Sequence, residues 1–112
     1  MALGLIIGQL DRGDTAIYTA NFDTLQSMQH AVRGLIEFVP TDESVSMIVN
    51  DEGRILGMSQ NAAADMILEH VDRFGLLNAG QGLVGDCIVF GPPDGEGELT
   101  DVPQFILDMV KL

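Results

Sequence analysis

Strand-like and helix-like segments follow one another along this chain without a regular alternation. Short apolar runs that are typical of strands occupy residues 3–10, 16–19, 35–39, 45–49, 54–58 and 87–90. Apolar residues spaced three or four apart predict helices that begin after Asp23, after Asn61 and after Asp101. Because this order does not suit a doubly wound parallel sheet, we expect an α+β fold. It would be a mixed or mostly antiparallel sheet with two or three helices packed on one face.

Polar residues and glycines mark the turns and helix ends of this prediction. Residues 11–14 and 50–53 have the composition of hairpin turns, so the apolar runs on either side of each turn are expected to pair. Asp23 and Asp101 are each followed three residues later by a glutamine, which is the spacing of a capping box. Asn61 is expected to cap the middle helix.

Size limits the chain to one unit. Its 112 residues, 46% of them hydrophobic, suffice for one core and are too few for two ordinary domains, so residues 1–112 are predicted to form a single acidic domain. A domain this small buries a modest share of its surface, and pairing into a homodimer would add stability.

Cysteine content and the first residues both bear on the cellular compartment. The single cysteine, Cys87, cannot form an internal disulfide, and its apolar neighbours indicate a buried side chain. The apolar start of the chain has no basic segment before it and is too short for a membrane span. We therefore predict a cytoplasmic protein that does not bind membranes.

The charge of the chain is strongly negative. Seventeen acidic residues against five basic ones give a formal net charge of −12. The acids lie between hydrophobic runs, which indicates a folded acidic surface and not a disordered tail. Such a surface repels phosphates, so direct binding to DNA or RNA is not expected, whereas a basic protein would be attracted. The alternative is that the acids only keep the protein soluble.

Candidate binding residues are the acids of the predicted loops. In proteins that mimic nucleic acids, spaced carboxylates stand where phosphates would lie and compete for lysines and arginines. By this reasoning the partner-binding surface comprises Asp42, Glu43, Asp51, Glu52, Asp94, Glu96, Glu98 and Asp101.

Signatures of catalysis or metal binding are not found in the sequence. The acids from Asp94 to Glu98 resemble the opening of a calcium loop, but Leu99 takes the place of the required glycine and Phe105 that of the bidentate glutamate. No P-loop, nucleophile elbow or paired Cys/His motif occurs. We therefore expect no enzyme activity, no metal and no cofactor.

Three segments of the chain also carry a family resemblance. The first is a helix running into a strand at 25–40, the second is 47–53 followed by Asn61-Ala-Ala, and the third is 85–89 followed by an acidic turn rich in Gly and Pro. Together they resemble a family of small phage and mobile-element domains known as domain of unknown function three-eight-four-six. The residues that match its pattern are Glu37, Asn50, Gly53, Asn61, Gly85 and Asp86.

The resemblance implies a phage or plasmid accessory protein that acts on host machinery or host defence, and it supplies no catalytic residues. Together with the acidity, it predicts a non-enzymatic protein of the host cytoplasm. This protein would bind a host protein with a basic surface and inhibit a nucleic-acid-binding or defence protein by mimicry.

Two other function classes remain open at this point. A homodimer that sequesters a small molecule or nucleotide signal would need two or more basic residues clustered in one pocket. The basic residues are Arg12, Arg33, Arg54, Arg73 and Lys111. An enzyme would need His30 or His70 to converge with a carboxylate in a closed pocket.

Overall fold

The computed structural model of the protein describes residues 2–9 and 14–112. Its elements are β1 (Ala2–Gln9), β2 (Thr15–Phe22), α1 (Leu25–Val32), β3 (Ile36–Val39), β4 (Ser46–Asn50), α2 (Ala62–Val71), β5 (Cys87–Phe90) and α3 (Gln104–Met109). Leu10 and the predicted turn residues 11–13 lie outside the described residues. None of the helices in the described ranges is long and apolar enough to cross a bilayer.

The five strands form one sheet in the order β2-β1-β5-β4-β3, and every neighbouring pair is antiparallel. The strand that comes last in the chain, β5, lies at the centre of the sheet. It joins the β1–β2 hairpin to the β3–β4 pair, so the middle of the sheet is closed by residues distant in sequence. The predicted α+β class and the mostly antiparallel sheet are confirmed.

Helices cover both faces of the sheet. One face carries Leu5, Met47 and Val89 beneath α2 and α3, and the other carries Ile48, Phe90 and their neighbours beneath α1. Period-two alternation along the strands divides the side chains between the two faces. Two helices therefore share a face as expected, while α1 lies on the opposite face, because both faces of the central strands are apolar and both need a cover.

The predicted return strand at 54–58 is wrong. Instead, the chain after β4 makes helical turns, in which Leu56 N–H donates to the carbonyl of Glu52 at 2.9 Å and Gly57 N–H to that of Arg54 at 3.1 Å. Asn50 begins these turns, because its Oδ1 accepts the N–H of Glu52 at 2.7 Å. Both sides of β4 are already occupied by β3 and β5, so no place remains for a hairpin partner.

Helix caps agree with the sequence at Asn61 only. Asn61 Oδ1 accepts the N–H of Ala64 at 3.1 Å and begins α2 as predicted. The first helix is capped by Thr24 in a box with Ser27 and not by Asp23. The last helix has Pro103 at its N-cap and no side-chain cap, because the carboxylate of Asp101 accepts the N–H of Leu3 at 2.8 Å instead.

Candidate functional site

The sheet register gathers most of the predicted acidic residues at one end of the molecule. Ser46 of β4 pairs with Phe90 of β5, so the loop before β4 and the loop after β5 leave the sheet at the same end. We call this the acidic end and define it as Asp23 with residues 40–45 and 91–101. It contains six of the eight predicted residues: Asp42, Glu43, Asp94, Glu96, Glu98 and Asp101.

Three aspartates of the acidic end hold the backbone in place. Asp42 Oδ1 accepts from the N–H and the hydroxyl of Ser44 at 2.9 and 2.6 Å, and these bonds lower the pKa of Asp42. Asp94 Oδ1 accepts the N–H groups of Glu96 and Glu98 at 2.8 and 3.0 Å. Asp101 anchors β1, as described above. These aspartates shape the loops, so their presence in the sequence does not by itself indicate a binding role.

The glutamates of the acidic end differ from these aspartates. Glu43, Glu96 and Glu98 are exposed, and in the described residues their carboxylates accept no hydrogen bond and form no ion pair. Asp23 is exposed and lines a shallow groove together with Glu98. The sequence predicts Asp23 as the first residue of a capping box, so it is not among the predicted binding residues.

The other two predicted residues lie at the opposite end of β4. Asp51 and Glu52 follow its last residue, about 17 Å from the acidic end at the usual rise of a strand. The eight residues therefore do not form one contiguous patch, and the structure divides them into a group of six and a pair.

The opposite end of the sheet contains buried polar side chains that connect its strands. We call it the network end and define it by Asn50, Asn61 and Asp86. Asn61 Nδ2 donates to the carbonyls of Ile7 and Gly85, both at 2.9 Å. Asn50 Nδ2 donates to the carbonyl of Val32 at 3.0 Å and thereby ties α1 to the sheet. These residues have a structural role that accounts for their burial.

Asp86 is the carboxylate of the network end. Its Oδ2 lies 3.1 Å from Nε of Arg33 and its Oδ1 accepts the N–H of Gln9 at 2.7 Å. His30 lines the same groove, which is the pairing of histidine with carboxylate that an enzyme would need. Both oxygens of Asp86 are already bound, however: the ion pair holds the side chain of Arg33, and Arg33 is the left-handed C-cap of α1, with φ at +65°.

A cleft of about 440 Å³ lies on the face of α2, between β3, the turn after β4 and residues 76–84. Its walls are mostly apolar: Val39 and Val49 belong to the sheet, and Ile55, which is 83% exposed, stands in the turn at its rim. This volume lies in the range of ordinary small-molecule sites. Its charged side chains are Glu37, Asp51 and Arg54, and Asn50 and Gln81 also line it.

Two carboxyls meet in this cleft. Asp51 N–H donates to the carbonyl of Leu35 at 2.8 Å, which brings the turn alongside the start of β3 and sets Asp51 beside Glu37. Partial desolvation raises the pKa of Glu37; hydrogen bonding to Asp51 and the charge of Asp51 raise it further, while Arg54 lowers it. Arg54 donates to the carbonyl of Gly82 and, among the described side chains, forms no ion pair with either carboxyl.

Sequence reasoning predicted Asp51 and missed Glu37 as part of a site. Five of the six residues that carry the family resemblance hold the backbone, its turns or Arg33, and Glu37 is the exception. One usable signal was present, namely a single charged residue inside the otherwise apolar run of β3.

Neither a metal site nor a reactive thiol is seen in the described part of the chain. No cluster of three or more His, Cys, Asp or Glu side chains occurs there. Cys87 is fully buried, and burial raises the pKa of its thiol to about 12, so the thiolate that reacts with electrophiles does not form near neutral pH.

The arginines that the structure describes are dispersed. Arg33 is bound to Asp86, Arg54 lines the cleft, and Arg73 lies against the ring of Phe74 with 5.6 Å from its guanidinium carbon to the ring centroid. Clustered basic residues were the condition for binding an anionic signal, and the three described clefts that contain an arginine contain one each.

Comparison with known proteins gives a family and no activity. No curated protein and no solved structure matches the chain. The model of one family, described as Domain of unknown function (DUF3846), matches residues 9–111. This match reaches further toward the N-terminus than the three segments in which the sequence resembles that family. Since the match covers most of the fold, with its acidic end, network end and cleft, the chain belongs to the DUF3846 family.

Proposed function

We propose that this protein is a non-enzymatic accessory protein of phage type that binds a basic protein of the host cell through its acidic end. The partner is a nucleic-acid-binding or defence protein, and binding occupies the site that would otherwise hold phosphates. The protein acts in the host cytoplasm.

The observation that carries this proposal is the convergence of two acidic loops at one end of the sheet. The loops adjoin neighbouring strands, β4 and β5, so both leave the sheet at the same end although 50 residues separate Glu43 from Asp94 in the chain. Glu43, Glu96 and Glu98 remain exposed and unpaired within the described chain, and so they are free to bind lysines or arginines. A surface used only for solubility has no need to concentrate free carboxylates in this way.

The test is capture of host proteins on the immobilised protein, followed by elution with double-stranded DNA. A basic partner should bind at low ionic strength, elute as salt rises from about 50 to 500 mM because screening shortens the reach of the charges, and elute also with DNA. The variant Glu96→Gln/Glu98→Gln should bind this partner about tenfold more weakly, since each exposed charge pair contributes up to about 1 kcal/mol.

A matched control removes the same two charges elsewhere. Asp14 and Glu52 are exposed acids at the network end, and the variant Asp14→Asn/Glu52→Gln should retain the partner. Equal loss in both variants would show a general charge effect without a defined surface. A partner that resists salt and DNA would refute nucleic-acid mimicry.

The cleft favours a second candidate function, the binding of a small organic cation. Glu37 and Asp51 lie side by side, and Arg54 is the one other charged residue among the described residues that line the cleft, so its charge is net negative. An ammonium or amidinium group would relieve their repulsion while its carbon skeleton contacts Val39 and Val49. The same charge balance disfavours an anionic nucleotide.

Thermal denaturation in the presence of polyamines and of nucleotides separates these classes. Polyamines should raise the melting temperature of the wild-type protein and leave that of Glu37→Gln/Asp51→Asn unchanged. Stabilisation by nucleotides, or equal stabilisation of the variant, would exclude the cleft as a cation site.

A further inference from the structure

The two edges of the sheet differ in how they are protected from pairing with another strand. β3 (Ile36–Val39) has four residues, contains the exposed Glu37 and is followed by Pro40, which are the features that natural edge strands use against pairing. β2 (Thr15–Phe22) has eight residues and contains neither a charged residue nor a proline. Its register with β1 runs without a bulge from Phe22 to Thr15.

The outer side of β2 has unused backbone groups. In an antiparallel strand, alternate residues direct their N–H and C=O groups to opposite sides, so those not bonded to β1 face outward. Apart from the ladder with β1, no hydrogen bond to β2 is found in the described chain. Tyr18 is 50% exposed, and Thr15, Thr19 and Asn21 are also exposed.

The distribution of charge favours a second copy of the chain as the partner of this edge strand. Two copies of a chain with a net charge of −12 repel each other unless they meet where acids are absent. β2 provides such a strip, bounded by Asp14 and Asp23. Antiparallel pairing of a strand with its own copy obeys twofold symmetry, and this symmetry is the commonest in homodimers.

We propose that the protein forms a homodimer by antiparallel pairing of β2 with β2 of a second copy, which gives a continuous ten-stranded sheet. The twofold axis passes through Thr19. In this register the ring of Tyr18 stands opposite the small Ala20 of the second copy, and the two Thr19 side chains face each other, a favourable cross-strand pair.

The same register keeps the carboxylates apart. Asp23 falls opposite Thr15 of the second copy, and Asp14 lies beyond the paired segment, so no acid faces another acid. Apart from Asp23, the acidic end contributes nothing to the contact, and neither does the edge of β3. The dimer therefore forms whether or not the acidic end binds a partner.

Sedimentation velocity from micromolar to near-millimolar concentration tests the proposal. The wild-type protein should be a dimer, and Tyr18→Glu should raise the dimer dissociation constant at least about tenfold, because it places one carboxylate from each copy within about 8 Å. Phe38→Glu is the matched control: Phe38 is 55% exposed, aromatic and on the other edge strand, so this variant should remain dimeric.

Cross-linking measures the register without disturbing the charge. Because Cys87 is buried, Thr19→Cys has one reactive thiol per chain. Oxidation should link two copies through this position, whereas Phe38→Cys should stay monomeric on a denaturing gel. A wild-type protein that is monomeric at every concentration, or a dimer broken by Phe38→Glu and not by Tyr18→Glu, overturns the proposal.

Discussion

The two ends of the sheet use the same residue types for opposite purposes. At the network end, Asp86 and Asn61 are buried, and each binds backbone groups from other segments of the chain. At the acidic end, the carboxylates of Asp42 and Asp94 accept hydrogen bonds only from residues a few positions away, and the glutamates among them are exposed. Side-chain bonds at the network end therefore join distant segments, whereas those at the acidic end mainly shape local loops, with the bond from Leu3 to Asp101 as the exception.

This difference shows why composition alone does not reveal the role of an acidic residue. A buried carboxylate such as Asp86 must be satisfied by partners, and these partners fix several segments at once. An exposed carboxylate such as Glu96 contributes little to stability and remains free for another molecule. We therefore expect substitutions at the network end to affect folding and substitutions at the acidic end to affect binding.

Asn61→Ala should have the largest effect. The substitution removes the cap of α2 and the donor that Asn61 supplies to the carbonyls of Ile7 and Gly85. With about 1 kcal/mol for each lost bond, and more for buried groups left unsatisfied, the free energy of unfolding should fall by about 3 kcal/mol or more. Urea denaturation followed by circular dichroism measures this loss.

The control for this variant is Asn78→Ala. Asn78 is exposed in a turn, and its side chain has no hydrogen bond to any described residue, so its replacement should change the stability by less than about 0.5 kcal/mol. Equal losses in the two variants would contradict the structural role assigned to Asn61.

Glycine substitutions compare the ends more directly. A Cβ at Gly34 would lie 2.7 Å from Nδ2 of Asn50, so Gly34→Ala must displace the side chain that ties α1 to the sheet. We expect a loss of about 1–3 kcal/mol. At the acidic end, a Cβ at Gly95 meets nothing within 4 Å, so Gly95→Ala should be neutral or slightly stabilising. Thermal denaturation measures both variants. A lower melting temperature for Gly95→Ala than for Gly34→Ala would contradict the comparison.

Aspartate and glutamate should differ within the acidic end itself. Asp94→Ala removes the acceptor of two backbone N–H groups and should cost about 1 kcal/mol. Glu96→Ala removes an exposed charge without a partner in the described chain, and in a protein this acidic it should leave the stability within about 0.5 kcal/mol of the wild type. Chemical denaturation of both variants at low salt measures the difference, and equal destabilisation would refute the division of roles.

Local signals explain how much of the fold followed from the sequence. The strand at Cys87–Phe90 and the cap at Asn61 are determined by neighbours within a few residues, so they were predicted well. The return strand at 54–58 failed because pairing depends on which strands occupy the two sides of β4, and β5 comes from a distant part of the chain. The predicted caps at Asp23 and Asp101 are wrong for a related reason. Thr24 caps the first helix instead of Asp23, and the carboxylate of Asp101 binds the N–H of Leu3 from a distant segment.

For the acidic end and the cleft, too, local features were predicted from the sequence and long-range ones were not. Asp94 and Glu98 were predicted as acidic loop residues from their own segment, but only the sheet register shows that they lie at the same end of the sheet as Asp42 and Glu43. The cleft was not predicted at all, because Glu37 and Asp51 meet only after the turn following β4 folds back beside β3. A site assembled from separate segments needs the topology, and a single sequence carries little information about it.

Glu37→Gln should have the smallest effect, and its sign depends on pH. The pKa of Glu37 is raised in the folded protein, so above the ordinary glutamate value of about 4.3 the folded state holds its proton more tightly than the unfolded state. The stability that Glu37 contributes is therefore fully present below this value and is lost as the pH rises through the raised pKa. Glutamine does not ionise, so the variant should gain stability relative to the wild type as the pH rises from about 5 to 7, by no more than about 0.5 kcal/mol because the pair is exposed.

Urea denaturation across this range measures the trend, with Glu52→Gln as the control at a neighbouring carboxylate outside the cleft. A difference that shrinks with rising pH would show that Glu37 is stabilised as a carboxylate and that Arg54, not Asp51, dominates its surroundings.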